Sequence, residues 1–292
     1  MEYKNVLSPG EIAAVAVEYG VKKVKNAPWR TLILAILAGA FIAFASEGSN
    51  MAAFNLLASP TTYGLGKALA GAVFGTGLML VVLAGGELFT GNCLLIAGVL
   101  DRKIRVLSML RNWVIVYIGN FLGSVLMAFL MSQSGLFSSG AGMLGAVTVK
   151  MAVTKAELPF GSAFILGILC NWLVCLAVWM SYGAKDMTGK ILAIFFPIWL
   201  FITSGFEHSV ANMYYIPAGI FAKDTFAAGA QALGASAAAI ADLNWGSFLF
   251  GNLLPVTLGN IVGGGLFVGA AYWLVYLKKS SKDGEMLPDS KS

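Results

Sequence analysis

Apolar runs long enough to cross a bilayer alternate along this chain with short clusters of glycine, lysine and amide side chains. A helix needs about 20 apolar residues to cross roughly 30 Å of hydrocarbon. Runs of that order fall at 29 to about 46, 65–86, 113–131, 160–182 and 248–277. A further run starts near Lys190 and stops at Ser204-Gly205-Phe206-Glu207-His208, then resumes as a short apolar piece at 213–221. The 65–86 run is interrupted in the same way, by Glu87-Leu88-Phe89-Thr90-Gly91-Asn92, before a short piece at 93–100. The pattern predicts an all-α integral membrane protein with six transmembrane helices, two of them broken. Residues 132–145 are rich in glycine and serine and read as a loop, and alanine-rich 226–240 is too weak for a span of its own.

Ahead of the first span, Ser8-Pro9 reads as an N-cap with proline in the first turn. Ile12, Val15, Tyr19 and Val24 then fall near one helical face, followed by Lys22, Lys23 and Lys25. This predicts an amphipathic helix on the cytoplasmic membrane surface, an orientation anchor with gating as the functional alternative. The chain therefore divides into a cytoplasmic N-terminal segment (1–28), a six-span channel domain (29–277) and a polar cytoplasmic tail (278–292). The first apolar run follows a long amphipathic lead, so no cleaved signal peptide is read.

Composition supports the membrane reading. Charged residues are 11% of the chain, against about 25% in an ordinary soluble domain. The net charge of +5 is no nucleic-acid footprint, because the basic residues cluster at the ends of apolar segments, where orientation signals sit. With the N-terminus inside, 15 of the 19 lysines and arginines fall on the cytoplasmic side, and only Lys67, Lys150, Lys155 and Lys223 lie opposite. Both termini are expected in the cytoplasm of a multi-pass protein of the cell's inner (plasma) membrane. Cys93, Cys170 and Cys175 have no metal-type spacing and read as buried filler. No metal and no cofactor is expected.

The halves of the chain share a pattern. Gly85-x-Glu87-x4-Asn92-x3-Ile96 returns as Gly205-x-Glu207-x4-Asn212-x3-Ile216, and Asn112-x6-Gly119-Asn120-x2-Gly123 returns as Asn252-x6-Gly259-Asn260-x2-Gly263. Each copy holds three spans, an odd number, so the second copy inserts upside down as an inverted repeat. Paired broken helices at matching positions point to a transport site. Glu87 and Glu207 read best as structural groups bonding the unwound backbone amides, and Asn112, Asn120, Asn252 and Asn260 as interhelical glue. His208 is the chain's one histidine. At membrane depth in an unwound segment it is a proton-relay candidate. Thr90 brings a hydroxyl in the first break, and Asn171, midway along the fourth span, can point at the same site. Lys155, just before that span, can draw anions to the outer mouth or be a solvated loop charge. Phe74, Leu78, Val174 and Phe201 read by periodicity alone as lipid-facing or core residues.

Glu87-Leu88-Phe89-Thr90, Asn171 with Val174-Cys175-Leu176-Ala177-Val178-Trp179-Met180, Ser204-Gly205-Phe206-Glu207-His208-Ser209 with Ala211-Asn212-Met213, and Pro255-Val256-Thr257-Leu258-Gly259-Asn260 resemble the formate/nitrite transporter family. The resemblance spans about 8–277. It implies a homopentamer in the lipid bilayer, with an aquaporin-like pore in each protomer for a small monovalent anion or its conjugate acid. The pathway would run past His208, Thr90, Asn171, Asn212, Lys155 and Glu207, with constrictions at Phe74, Leu78, Val174 and Phe201. Formate channels often carry a histidine-rich stretch after the mouth lysine, where this chain has Ala156-Glu157-Leu158-Pro159. Formate, nitrite and hydrosulfide thus all stay open, with a hydrosulfide-selective channel as the alternative to formate. A water or neutral-solute channel fits less well, since the breaks read Asn92-Cys93-Leu94 and Asn212-Met213-Tyr214 rather than Asn-Pro-Ala. An intramembrane enzyme rests only on Gly234-Ala235-Ser236-Ala237, outside the firm spans, and no signature of catalytic residues is read.

Overall fold

The computed structural model describes residues 6–278. Lys4, Lys279, Lys282 and Lys291 of the charge tally, and the tail beyond Lys278, lie outside the described residues. The first half runs α1 (Pro9–Lys25), α2 (Pro28–Leu57), α3 (Tyr63–Gly85), α4 (Phe89–Asn92), α5 (Leu95–Leu100) and α6 (Val106–Gln133). The second runs α7 (Met143–Ala156), α8 (Phe160–Gly183), α9 (Met187–Ser204), α10 (Ser209–Ala232), the short α11 (Ala237–Asp242) and α12 (Ser247–Tyr276). Six of these, α2, α3, α6, α8, α9 and α12, are long and apolar enough to cross a membrane. The protein is all-helical apart from one isolated bridge between Val6 and Ala184 among the described residues.

Local chemistry sets the ends of these helices. Ser8 caps α1 through a capping box, its backbone N–H donating to the Glu11 carboxylate at 2.7 Å, which satisfies amides that the first turn leaves open. Gly85 (φ 98°) and Gly205 (φ 78°) lie in the left-handed region where α3 and α9 stop. A side chain there would be strained, so glycine fixes both break points. The repeated Gly123 and Gly263 serve close packing: a Cβ on either would run into the carbonyl oxygen of Ile36 on α2 or of Ile168 on α8. Helices in lipid gain nothing from burying apolar surface against each other, so such backbone approach carries much of their association.

The inverted repeat is larger than its sequence pattern. Corresponding backbone bonds pair Leu34 with Leu166 as acceptors from Glu87 and Glu207, so α1 matches α7, α2 matches α8, and α6 matches α12. The 132–145 stretch accordingly does not stay a loop: α7 begins at Met143 within it. The first span runs on past Ser46, through Glu47 and Asn50, to Leu57. Those polar groups face protein rather than lipid, with the Tyr214 hydroxyl bonding the Glu47 carboxylate. The 213–221 piece and the first part of the alanine-rich segment form one continuous α10, whose first eleven residues are all buried. Burial among other helices lets a segment of low hydropathy sit in the membrane interior. In α1 the buried face is Ile12, Ala13, Ala16, Val17, Gly20 and Val24, while Tyr19 is exposed. The helix docks on α5, α8 and the end of α12, so its apolar face meets protein.

Candidate functional site

Each helix break leaves backbone groups that must be bonded inside the protein, since an unpaired buried amide costs about 1–3 kcal/mol. In the first break the Phe89 N–H donates to Asn120 Oδ1 (2.9 Å), and Asn120 Nδ2 donates to the carbonyls of Ala35 (2.7 Å) and Glu87 (2.9 Å). In the second, Ser209 N–H donates to Asn260 Oδ1 (2.9 Å), and Asn260 Nδ2 donates to Gly167 (2.8 Å) and Glu207 (3.0 Å). The asparagines, not the glutamates, therefore satisfy the unwound backbone.

The glutamate carboxylates bind side chains instead. Glu87 accepts from Asn92 Nδ2 (2.7 Å) and Lys23 Nζ (2.9 Å). Glu207 accepts from Asn212 Nδ2 (2.6 Å) and Lys155 Nζ (2.6 Å). Asn92 also donates to Asn112 Oδ1 (2.9 Å), and Asn212 to Asn252 Oδ1 (2.7 Å). A buried charge without a partner is expensive, and these pairs neutralise it. Lys155 is thus no solvated loop residue. It ends α7, ion-paired, with its ammonium 5.5 Å from the centre of the Tyr215 ring.

Where the two breaks meet, the repeat symmetry fails. Position 88 is leucine and its counterpart 208 is histidine; Thr90 answers to Val210; Gly39 answers to Asn171. These odd residues cluster. His208 caps α10 by accepting the Ala211 N–H at Nδ1 (3.1 Å). With Nδ1 an acceptor, the neutral ring carries its proton on Nε2, which lies 3.0 Å from the Thr90 hydroxyl. The Thr90 carbonyl accepts from Asn171 Nδ2 (3.2 Å), which also reaches the Asn260 carbonyl (2.6 Å). Phe201 stacks over the imidazole with centroids 5.9 Å apart, and Phe74 meets Phe201 edge-on at 5.6 Å. His208, Thr90, Phe74, Phe201, Leu78 and Val174 are all buried.

Two cavities flank this centre. One, of about 660 Å³, lies on the side of α1 and is lined by Glu87, Lys22, Lys23, Lys25 and Lys190, with Leu78 and Val178 in its wall. The other, of about 530 Å³, lies on the side of α7 and is lined by Glu207, Lys67, Lys150 and Lys155. Phe74 sits one helical turn deeper than Leu78, and Val174 one turn deeper than Val178. The structure therefore brings together His208, Thr90, Asn171 and Phe201 at the centre, and Lys155, Glu207 and Asn212 beside the second cavity. Sequence reasoning missed Lys23 as the partner of Glu87, and missed Lys67 and Glu47. The repeat held the signal for Lys23, since it precedes its span as Lys155 does, and a carboxylate inside an apolar run marked Glu47.

Six spans in an inverted repeat, with two helix breaks meeting at a buried polar pair between lysine-lined cavities, define a membrane channel for small solutes, not an enzyme. The chain belongs to the formate/nitrite transporter family, whose model matches residues 10–274. It is 39% identical over 282 residues to the formate channel FocA of Escherichia coli (strain K12), covering 94% of this chain and 96% of that one. It is 41% identical over 275 residues to the formate channel BtFdhC of Bacillus thuringiensis, covering 94% and 97%. Among solved structures it is similar to a pentameric formate channel with formate bound, at TM-score 0.75 and 42% identity, covering 86% of this chain and 98% of that one.

Proposed function

We propose that the protein conducts formate across the cell's inner (plasma) membrane as a homopentamer, each protomer holding its own pathway past His208. The Thr90–His208 pair between two cation-lined cavities carries this reading, supported by the formate-channel relatives and the formate-bound pentamer. The 15-to-4 basic bias supports cytoplasmic termini; in that orientation the larger cavity opens inward and the smaller one outward. In the outer cavity the anion passes Lys155, Glu207 and Asn212, then meets Phe201 and Phe74; Leu78 and Val174 close the inner side of the centre. A carboxylate leaving water for this apolar stretch faces a penalty of several kcal/mol, which the neutral acid largely escapes. His208 and Thr90 present the proton donors that assist this conversion, with Asn171 fixing the Thr90 backbone.

Proteoliposome flux of formate, nitrite, hydrosulfide and chloride at several pH values tests the assignment. Formate should move fastest and chloride least. Hydrosulfide flux without formate flux would make this the hydrosulfide-selective alternative.

A further inference from the structure

We propose that Lys67 is the residue that receives the anion in the outer cavity. This rests on the anion-conducting reading above. The two lysines that approach the breaks, Lys23 and Lys155, already hold glutamates at 2.9 and 2.6 Å. Each such pair is close to neutral as a unit, and its ammonium is tied down. Lys67 differs. It lines the same cavity as Lys155, from α3, and its ammonium has no ion pair or hydrogen bond among the described residues. An ammonium carries three donors and no acceptor, so in a half-buried wall it is an open site for an anion.

Its position is specific. A Cβ built on Gly205 would lie 3.9 Å from Lys67 Nζ. Gly205 is the left-handed residue that ends α9 and begins the stretch leading to His208. The unpaired charge therefore stands beside the break, in the cavity wall. The repeat supplies an independent parallel: α9, the counterpart of α3, places Lys190 near its start in the wall of the other cavity, also with no side-chain partner among the described residues. Two unrelated lysine placements on matching helices at matching ends point to one shared task. A small carboxylate such as formate fits that task, since it can accept from the ammonium while staying within reach of the break.

The test is formate uptake into proteoliposomes as a function of formate concentration, at about 0.01 M and 1 M salt, where screening lengths are about 30 and 3 Å. At low salt, Lys67→Gln should raise the half-saturating concentration about three- to tenfold with maximal flux kept, and the difference should shrink at high salt. Lys67→Arg should stay near wild type, and Lys150→Gln, which removes another charge from this cavity, should shift less. Should Lys67→Gln fail to assemble, Lys67→Cys gives a second route, because the native cysteines are buried. An aminoethyl thiol reagent should then restore low-salt affinity and a sulfonated one should abolish it. Unchanged half-saturation in Lys67→Gln, an equal shift in Lys150→Gln, or equal effects of the two reagents, with wild type conducting formate, would overturn the assignment to Lys67. Wild type passing none of formate, nitrite and hydrosulfide would overturn the conducting reading and this inference with it.

Discussion

The Lys155 ammonium lies 2.6 Å from the Glu207 carboxylate, and both side chains are largely withdrawn from solvent, at 15% and 6% exposure. Removing one partner of such a pair leaves the other charged and unsolvated, at a cost of about 3–5 kcal/mol, whereas replacing both is often neutral. Lys155→Met should therefore lower the thermal unfolding temperature and the flux, at low and high salt alike. Lys155→Met with Glu207→Gln should recover much of the stability. A Lys155→Met defect that vanishes at high salt would instead mark Lys155 as a screened surface charge, the role expected of a mouth lysine.

Asn260 bonds three backbone groups through its side chain: the Ser209 N–H and the carbonyls of Gly167 and Glu207. Asn260→Ala strands all three. At about 1–3 kcal/mol for each unsatisfied group, a loss of about 3 kcal/mol or more is expected, read as a fall in unfolding temperature in detergent. Asn120→Ala should behave alike, because its bonds are the repeat equivalents. A small effect at both positions would mean that water replaces the amides and that the breaks are wet.

Gly263 and Gly161 separate packing from propensity. A Cβ on Gly263 would strike the backbone of Ile168, while one on Gly161 meets nothing within 4 Å. Gly161→Ala should be neutral or stabilise by about 0.5–1 kcal/mol, as expected for alanine replacing glycine in a helix. Gly263→Ala must push α12 from α8 and should weaken assembly, measured by thermal unfolding. Comparable stability of the two variants would show that the α8–α12 contact is loose.

The spans and both breaks were legible because each rests on a one-dimensional signal: a long apolar run, or a glycine followed by a glutamate inside one. The repeated Gly-x-Glu and Asn patterns likewise exposed the scaffold of the site. What escaped depended on partners distant in sequence. Glu47 looks like the end of a span until Tyr214 is brought against it, and α10 looks too polar for membrane depth until its surroundings bury it. Lys155 reads as a free cation until Glu207 is placed beside it. Leu88 and Val210, set against His208 and Thr90, could have singled out the centre from sequence, since departures from a repeat fall where the two copies must do different things.

The orientation rests on the charge bias and is open to labelling. Ser138 is exposed in the segment before α7, and Met187 is exposed at the start of α9. These positions flank opposite sides of the membrane in the proposed topology. Ser138→Cys should react with an impermeant thiol reagent added to intact cells, and Met187→Cys only after the membrane is opened. Labelling of both from the same side would sink the topology, and with it the inward and outward naming of the cavities.

In the proposed pathway His208 is the residue that would decide how charge crosses. Its ring is fixed at both nitrogens, Nδ1 by the Ala211 N–H and Nε2 by the Thr90 hydroxyl, and Phe201 covers one face. An anion arriving beside the ring would face the Nε2–H and the Thr90 hydroxyl. An imidazole can take up and release a proton and an amide cannot, so the ring can respond when substrate enters. If the ring supplies the proton, the substrate passes as neutral acid, carries little current and acidifies the receiving side. If the ring is only a hydrogen-bond donor, the anion passes bare and carries current. His208→Asn keeps a polar side chain and removes the titratable group. Proton co-movement should fall about a hundredfold or more, the range for loss of a positioned proton donor, while anion current rises. Lowering the pH should then no longer accelerate uptake in the variant beyond the growth in free acid concentration. Proton co-movement equal to wild type, in His208→Asn protein of normal assembly, would end the relay role and leave His208 as the cap of α10.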